Sequence, residues 1–228
     1  MTGKLHEQIQ AIRAFWGCWQ NGTPLNFRGE HYKLTLMSPF FNPGPIDHPH
    51  IPIYIAGVNT GLARLAGELC DGFHVHPFHT PRYLSEVILP AMAQGAEKAG
   101  RARAAVTVAA SVFAASDAGQ REYCRQQISF YASTPSYRPV MELHGWGEVA
   151  AQLSAQASRG QWGSMPALIS DEMLREFCIQ SDEAGLARAL HERYASLADR
   201  IALYLPFVPG SRDRFWKALA GYFNTSGE

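Results

Sequence analysis

The chain has 228 residues, of which 46% are hydrophobic, and its 20 basic residues balance 20 acidic ones. This length suits one sizeable hydrophobic core, so we expect a single domain over 1–228. A neutral chain without a basic run argues against a nucleic-acid partner, and no apolar run is long enough to span a membrane.

The first residues, 1–8, lack the apolar core and the cleavage site of a signal peptide. The four cysteines (Cys18, Cys70, Cys124 and Cys178) are scattered and form no CxxC pair. Together these features predict reduced thiols and a cytoplasmic location.

An amphipathic helix is predicted over 4–20, where apolar residues recur at helical spacing. Residues 23–50 then show no regular period and contain five prolines. We interpret this segment as an irregular loop insertion, with a short hairpin at 25–27 and 32–34. Loops of this length in a compact domain are usually functional.

From residue 51 onward, predicted strands alternate with predicted helices. The strands are near-continuous apolar runs over 51–56, 72–77, 106–114 and 200–206. The helices are predicted at 60–69, at 80–100 with a kink at Pro90, for about four turns from 117, and at 148–158, 171–178, 182–197 and 211–223. Such alternation predicts a parallel sheet, buried on both faces and covered by helices. The fold class is therefore α/β. A closed (β/α)8 barrel of this type needs eight strands, of which the sequence offers about four.

The turn between the first predicted strand and its helix is the first candidate site. It reads Ala56, Gly57, Val58, Asn59, Thr60 and Gly61. Glycines allow backbone N–H groups to approach a phosphate, and the first N–H groups of a helix are unpaired donors. Asn59 or Thr60 as a simple helix cap is the alternative reading. A lone glycine turn does not separate these two interpretations.

The end of the second predicted strand is the next candidate. His74 and His76 point to the same side of a strand, and His76, Pro77 and Phe78 lie nearer its carboxyl end, where barrels place their ligands. A His-x-His pair can bind a metal, but the sequence offers no further ligand motif beside it. We therefore assign no metal and expect these three residues to line a cofactor or substrate pocket. His144, in a glycine-bearing segment, is a candidate substrate contact.

Four segments carry a resemblance to a known family: 39–46 (PFFNPGPI), 52–57 (PIYIAG), 64–72 (RLAGELCDG) and 74–84 (HVHPFHTPRYL). They resemble the bacterial-luciferase-like oxidoreductases, in particular the branch assigned to coenzyme F420. Members of that family are (β/α)8 barrels about a third longer than this chain. The resemblance implies that the chain is the C-terminal two-thirds of such a barrel and carries its last four strands. The earlier strands supply much of the cofactor-ring platform and the usual catalytic side chains of the family.

The same resemblance implies that the turn over 56–61 binds the cofactor phosphate and that a loop bearing Phe40 and Phe41 lies over the barrel mouth, against the substrate. The cofactor would be coenzyme F420, with FMN as the alternative, and the catalytic residues are not assigned. The leading hypothesis is an oxidoreductase that moves a hydride to or from this cofactor, with a small organic substrate. The alternatives are a metal-dependent hydrolase using His74 and His76, and an incomplete barrel that needs a partner or further strands. The sequence leaves open whether the chain forms a homodimer.

Overall fold

The computed structural model describes residues 2–206 and 208–225. Its helices are α1 (Thr2–Asn21), α2 (Thr60–Leu69), α3 (Pro81–Tyr83), α4 (Leu89–Lys98), α5 (Ala118–Ala132), α6 (Arg138–Leu143), α7 (Gly147–Ser158), α8 (Asp171–Phe177), α9 (Leu186–Tyr194) and α10 (Asp213–Thr225). The strands are β1 (Phe27–Arg28), β2 (Lys33–Leu34), β3 (Tyr54–Gly57), β4 (Gly72–Val75), β5 (Thr107–Ala115), β6 (Cys178–Gln180) and β7 (Arg200–Leu203). None of these helices is long and apolar enough to cross a membrane.

The centre of the fold is a five-stranded parallel sheet. Strand β4 pairs with β3 on one side and β5 on the other, and β5 also pairs with both β6 and β7. Helices connect the parallel strands, as crossover connections require. The fold class is therefore α/β as predicted, but the sheet is open rather than a closed barrel over the part of the chain that the structure describes.

The two faces of this sheet differ in burial. One face packs against the helices and carries Phe73, Val75 and Val108, each at most 2% exposed. The other face carries a row of register partners that runs across four strands: Ala56, His74, Ala109 and Arg200. Three members of this row, all except Ala109, are exposed. The expected burial on both faces thus fails along this row.

One strand was missed by the sequence prediction. The helix expected over 171–178 ends at Phe177, and Cys178–Gln180 form β6, which pairs with Phe113–Ala115 of β5. The apolar spacing of the helix continues into Cys178, so periodicity alone places the boundary too late. The structure accordingly adds a fifth strand to the four predicted ones.

Two proline positions explain other departures from the prediction. The first strand begins at Tyr54 rather than residue 51, since Pro52 has no N–H group to donate to a ladder. The helix expected over 80–100 is interrupted by a π-helical turn, Leu84–Ile88, directly before Pro90. This wider turn accommodates the missing N–H group of the proline, so the predicted kink takes the form of a π-bulge.

The irregular segment after α1 is fixed by a buried carboxylate. Strands β1 and β2 form the predicted hairpin, and the Glu7 side chain accepts hydrogen bonds from the N–H groups of His31 (2.9 Å) and Tyr32 (2.5 Å) in its turn. Burial of the Glu7 carboxyl opposes its ionisation, but these N–H groups lower its pKa overall. The carboxylate therefore ties the loop to α1.

Candidate functional site

The turn between β3 and α2 leaves backbone donors free. Strand β3 ends at Gly57, and Asn59 is the N-cap residue of α2 but makes no side-chain capping bond. The first backbone bond into the helix runs from Ala63 N–H to the Asn59 carbonyl, 3.3 Å. The three preceding N–H groups, of residues 60–62, consequently have no intrahelical partner. They form an uncapped, partly positive helix end at the carboxyl edge of the sheet.

The Asn59 side chain turns away from the helix. Its Nδ2 donates to the backbone carbonyl of Ser136 at 2.9 Å, which joins the glycine turn to the segment after α5. Its Oδ1 is buried and has no hydrogen-bond partner among residues 2–206 and 208–225. A buried acceptor without a donor costs free energy, so this oxygen marks a place where a donor group is expected.

One cation lies close to the same turn. Arg64, one helical turn into α2, donates from Nη1 to the Thr60 hydroxyl (3.4 Å) and from Nε to the Gln94 side chain (3.2 Å). The guanidinium therefore adds a full positive charge to the donors at the start of the helix.

His76 follows β4 at the same edge and lies within an aromatic cluster. Its ring is edge-to-face with Tyr131, with centroids 4.7 Å apart, and tilted against Tyr137 at 4.9 Å. Its Nδ1 accepts a hydrogen bond from Phe78 N–H at 3.1 Å. Burial lowers the pKa of His76 below the ordinary value, so the ring is neutral near pH 7.

Phe78 lies beneath this surface rather than on it. The ring is fully buried and stacks on Phe177 at 4.7 Å and on Tyr137 at 5.9 Å. His76 and Phe78 thus hold opposite roles in one turn: the first is half-buried at the edge, and the second packs below it. Pro77 joins them and is itself buried.

Sequence reasoning missed the tyrosines of this cluster. Tyr131, on α5, and Tyr204, just beyond β7, bring their hydroxyl oxygens to 2.7 Å. They are 73 residues apart, and no local pattern connects them. Burial raises the pKa of Tyr131, so its hydroxyl stays protonated.

His144 is placed at this edge by a neighbouring threonine. The buried Thr80 hydroxyl accepts from Tyr83 N–H (3.0 Å), which caps α3, and lies 2.8 Å from His144 Nε2. The His144 ring stacks on Trp146 with centroids 4.5 Å apart. Burial lowers the pKa of His144. The structure thus brings His144 next to the turn that follows β4.

Phe40 and Phe41 lie elsewhere. They form an edge-to-face pair at 5.0 Å and are 87% and 69% exposed, in the short 3-10 helix Pro39–Phe41. The loop that bears them is tied to the last turn of α1, where Gln20 Nε2 donates to the Ile46 carbonyl. That end of α1 lies near residue 51, before β3 begins. We expected the loop bearing Phe40 and Phe41 to lie over the carboxyl ends of the strands. In the structure this loop is tied to the amino end of the sheet instead.

The two histidines of the metal alternative are engaged in other contacts. The His74 ring lies against Tyr54, with centroids 5.2 Å apart, and His76 Nδ1 is the acceptor described above. No group of three or more potential metal ligands occurs in the described part of the chain. The hydrolase hypothesis gains no support from this arrangement.

Comparison with known proteins agrees with this architecture. Residues 2–200 match the family model described as luciferase-like monooxygenase. The chain is 39% identical over 204 residues to the uncharacterized protein Rv1360 of Mycobacterium tuberculosis, covering 87% of this chain and 60% of that protein. It is 26% identical over 216 residues to a 5,10-methylenetetrahydromethanopterin reductase of Archaeoglobus fulgidus, covering 92% and 62%.

Among solved structures, the coenzyme F420-dependent tetrahydromethanopterin reductase of Methanopyrus kandleri superposes with a TM-score of 0.70 at 20% identity. The match covers 95% of this chain and 61% of that one, so it shows the fold. The chain thus spans about 60% of the length of the relatives that it matches. With 199 of its residues inside the family model, the chain belongs to the luciferase-like monooxygenase family.

Proposed function

We propose that this chain binds coenzyme F420 at the carboxyl edge of its sheet and takes part in hydride transfer between that cofactor and a small organic substrate; FMN is the alternative cofactor. The observation that carries the proposal is the uncapped start of α2, where the N-cap Asn59 leaves three N–H groups unpaired. Relatives named as F420-dependent favour the deazaflavin.

The residues at this edge fit a phosphorylated ligand. Free N–H groups at a helix start, with Arg64 beside them, suit a phosphate. The unpaired Asn59 Oδ1 suits a different group, because an amide oxygen repels phosphate oxygens and accepts only from a donor such as a ligand hydroxyl. A phosphate followed by a hydroxyl-bearing chain meets both requirements, and both F420 and FMN have that composition.

When bound, the cofactor ring supplies the hydride chemistry. The residues of this chain would bind and orient it: the turn over 56–61 at the phosphate end, and His76, Pro77 and the aromatic cluster around them beside the ring. Phe78 would support that surface from below. His144 is our proposed substrate contact at the same edge. That Phe40 and Phe41 contact the substrate stays a prediction. It would require the substrate to reach the amino end of the sheet as well.

The other side of the site would come from further β/α units. The row Ala56, His74 and Arg200 is exposed, and both β3 and β7 have an unpaired edge among the described strands. An apolar groove of about 690 Å³ borders β7, lined by Ile201, Leu203 and residues of α9 and α10. We propose that additional strands, on the same polypeptide or on a partner, pair with these edges and complete the barrel. This is the second candidate function, in which residues 1–228 alone bind the cofactor but do not catalyse turnover of a substrate.

The test is titration of the purified protein with F420 and with FMN, followed by the absorbance and fluorescence of each ring. Saturable binding that inorganic phosphate weakens in competition supports the proposal, and the tighter of the two identifies the cofactor. Absence of binding of either up to high micromolar concentration would overturn it. Turnover that appears only after adding further β/α units from a relative such as Rv1360 would support the second candidate function.

A further inference from the structure

Two hydrogen bonds in series join α9 to the residue that follows β4. The Tyr194 hydroxyl, at the last residue of α9, lies 3.2 Å from His79 Nε2. His79 Nδ1 lies 2.8 Å from the backbone carbonyl oxygen of His76. His79 is 2% exposed and Tyr194 is 1% exposed, and their rings are edge-to-face. No water needs to be placed between these groups, since each distance is that of a direct bond.

The hydrogen-bond partners of His79 determine which of its ring nitrogens is protonated. A carbonyl oxygen only accepts, so His79 Nδ1 carries a hydrogen and donates it to His76. Burial lowers the pKa of His79 to about 4, so the ring is neutral and its Nε2 must accept. Burial also raises the pKa of Tyr194, which keeps its proton and donates it to His79 Nε2.

This chain of bonds has a consequence at His76. Its carbonyl is held by His79, and its ring Nδ1 is held by Phe78 N–H, so the two ends of the residue are fixed independently. A neutral ring that accepts at Nδ1 carries its proton on Nε2. That Nε2–H makes no hydrogen bond to another residue within 2–206 or 208–225. It is a pre-set donor at the edge where the cofactor is proposed to bind.

Resting on the proposed function, we propose that His79, held by Tyr194, is a positioning residue that fixes His76 as an Nε2–H donor toward an electron-rich oxygen or nitrogen atom of the bound cofactor or substrate. Donors fixed before binding contribute more than mobile ones, because no ordering cost is paid at that moment. The geometry requires no proton transfer: His76 stays a donor throughout.

The unliganded protein provides the first measurement. With histidine labelled with ¹⁵N, long-range proton–nitrogen correlation spectra assign which ring nitrogen is protonated. We expect protonated Nδ1 and bare Nε2 in His79, and the opposite pattern in His76. A His79 ring protonated on Nε2 would overturn the proposal, since it could not then both donate to the carbonyl and accept from Tyr194.

Variants test the positioning itself. In His79→Leu the turn loses its hold on the His76 carbonyl, and we expect the Phe78 amide to exchange about three- to tenfold faster relative to amides of α2, in line with the loss of one hydrogen bond. His79→Asn keeps an N–H donor and should restore most of the protection. Tyr194→Phe should give a smaller effect in the same direction, and it guards against misfolding of the leucine variant.

Tyr83→Phe is the matched control, because Tyr83 is also buried but its hydroxyl bonds to no other described residue. It should leave Phe78 exchange unchanged. Unchanged exchange in His79→Leu would contradict the positioning role. On adding F420, a shift of the His76 Nε2 resonance in the wild type supports the donor role, and saturable binding without that shift contradicts it. Failure of the cofactor to bind at all would instead overturn the proposed function, while the unliganded measurements would still decide whether His79 positions His76.

Discussion

Asn59 Nδ2 donates to the Ser136 carbonyl at 2.9 Å, so the side chain of this N-cap residue bonds to a segment 77 residues away and does not cap α2. An asparagine at this position commonly caps the helix with its side-chain oxygen. Here that oxygen is buried without a partner, and the helix start stays open. The unpaired oxygen and the open helix start lie in the same turn. The proposed ligand would supply a hydrogen-bond donor for the first and an anion for the second.

Asn59→Asp tests this arrangement. The substitution places a negative charge at the start of α2, which favours the helix but repels a bound phosphate. We expect F420 or FMN to bind about tenfold more weakly or worse, and thermal stability to fall as well, because a carboxylate cannot donate to the Ser136 carbonyl. Asn59→Ser, an uncharged cap, is the matched control and should lose far less affinity. Equal affinities of the aspartate and serine variants, measured by ring fluorescence, would argue against a phosphate at this turn.

Gly67→Ala is expected to destabilise the protein. A Cβ atom on Gly67 would lie 2.0 Å from the Met92 carbonyl oxygen, and one on Gly95 would lie 2.0 Å from that of Arg64, so α2 and α4 are in contact through their backbones. Moving the helices apart should lower the free energy of unfolding by about 1–3 kcal/mol. Urea denaturation followed by circular dichroism measures this change.

Gly17→Ala is the control for that variant. Gly17 lies within α1 and has no atom within 4 Å of an added Cβ. Alanine there should raise the free energy of unfolding by about 0.5–1 kcal/mol, because it is the better helix former. A similar loss of stability in both variants would show that helix spacing is not the cause.

Much of the fold could be predicted from the sequence because its signals are local. The helix predicted over 60–69 is observed as Thr60–Leu69, and Asp117 caps α5 by accepting from Gln120 N–H at 2.8 Å. The alternation of strands and helices in the sequence was sufficient to predict the parallel sheet. Strand β6 was missed because its three residues continue a helical apolar pattern, and only pairing with β5 makes them a strand.

The candidate site was predictable only where it is contiguous in sequence. The turns at 56–61 and 76–78 follow directly from strand ends. The contacts that give them their chemistry are long-range: Asn59 with Ser136, His79 with Tyr194, and Tyr131 with Tyr204. The predicted position of Phe40 over the strand ends came from resemblance alone, and the bond between Gln20 and Ile46 holds that loop at the opposite end.

Thr80→Val should uncouple His144 from the turn after β4. The buried hydroxyl both caps α3 and bonds to His144 Nε2, and valine keeps the shape but removes both bonds. We expect a loss of about 1–2 kcal/mol in the free energy of unfolding, of the size of a lost N-cap. Thr80→Ser retains the hydroxyl and should lose less. If the valine variant matches the wild type in urea denaturation, the hydroxyl does not fix this turn.

Acid should destabilise the protein through His79. Its pKa is about 4 in the folded state because of burial, against an ordinary value of 6.5, so the unfolded chain takes up the proton first as the pH falls. The stability that depends on neutral His79 is therefore complete above about pH 6.5 and is lost progressively as the pH falls toward 4, a difference on the order of 3 kcal/mol. Carboxylates titrate in part of this window too, so the quantity to measure is the free energy of unfolding between pH 7 and pH 4.5 in the wild type minus that in His79→Asn. The asparagine variant should lose less stability over that interval. Parallel losses in the two proteins would show that His79 does not become protonated on unfolding.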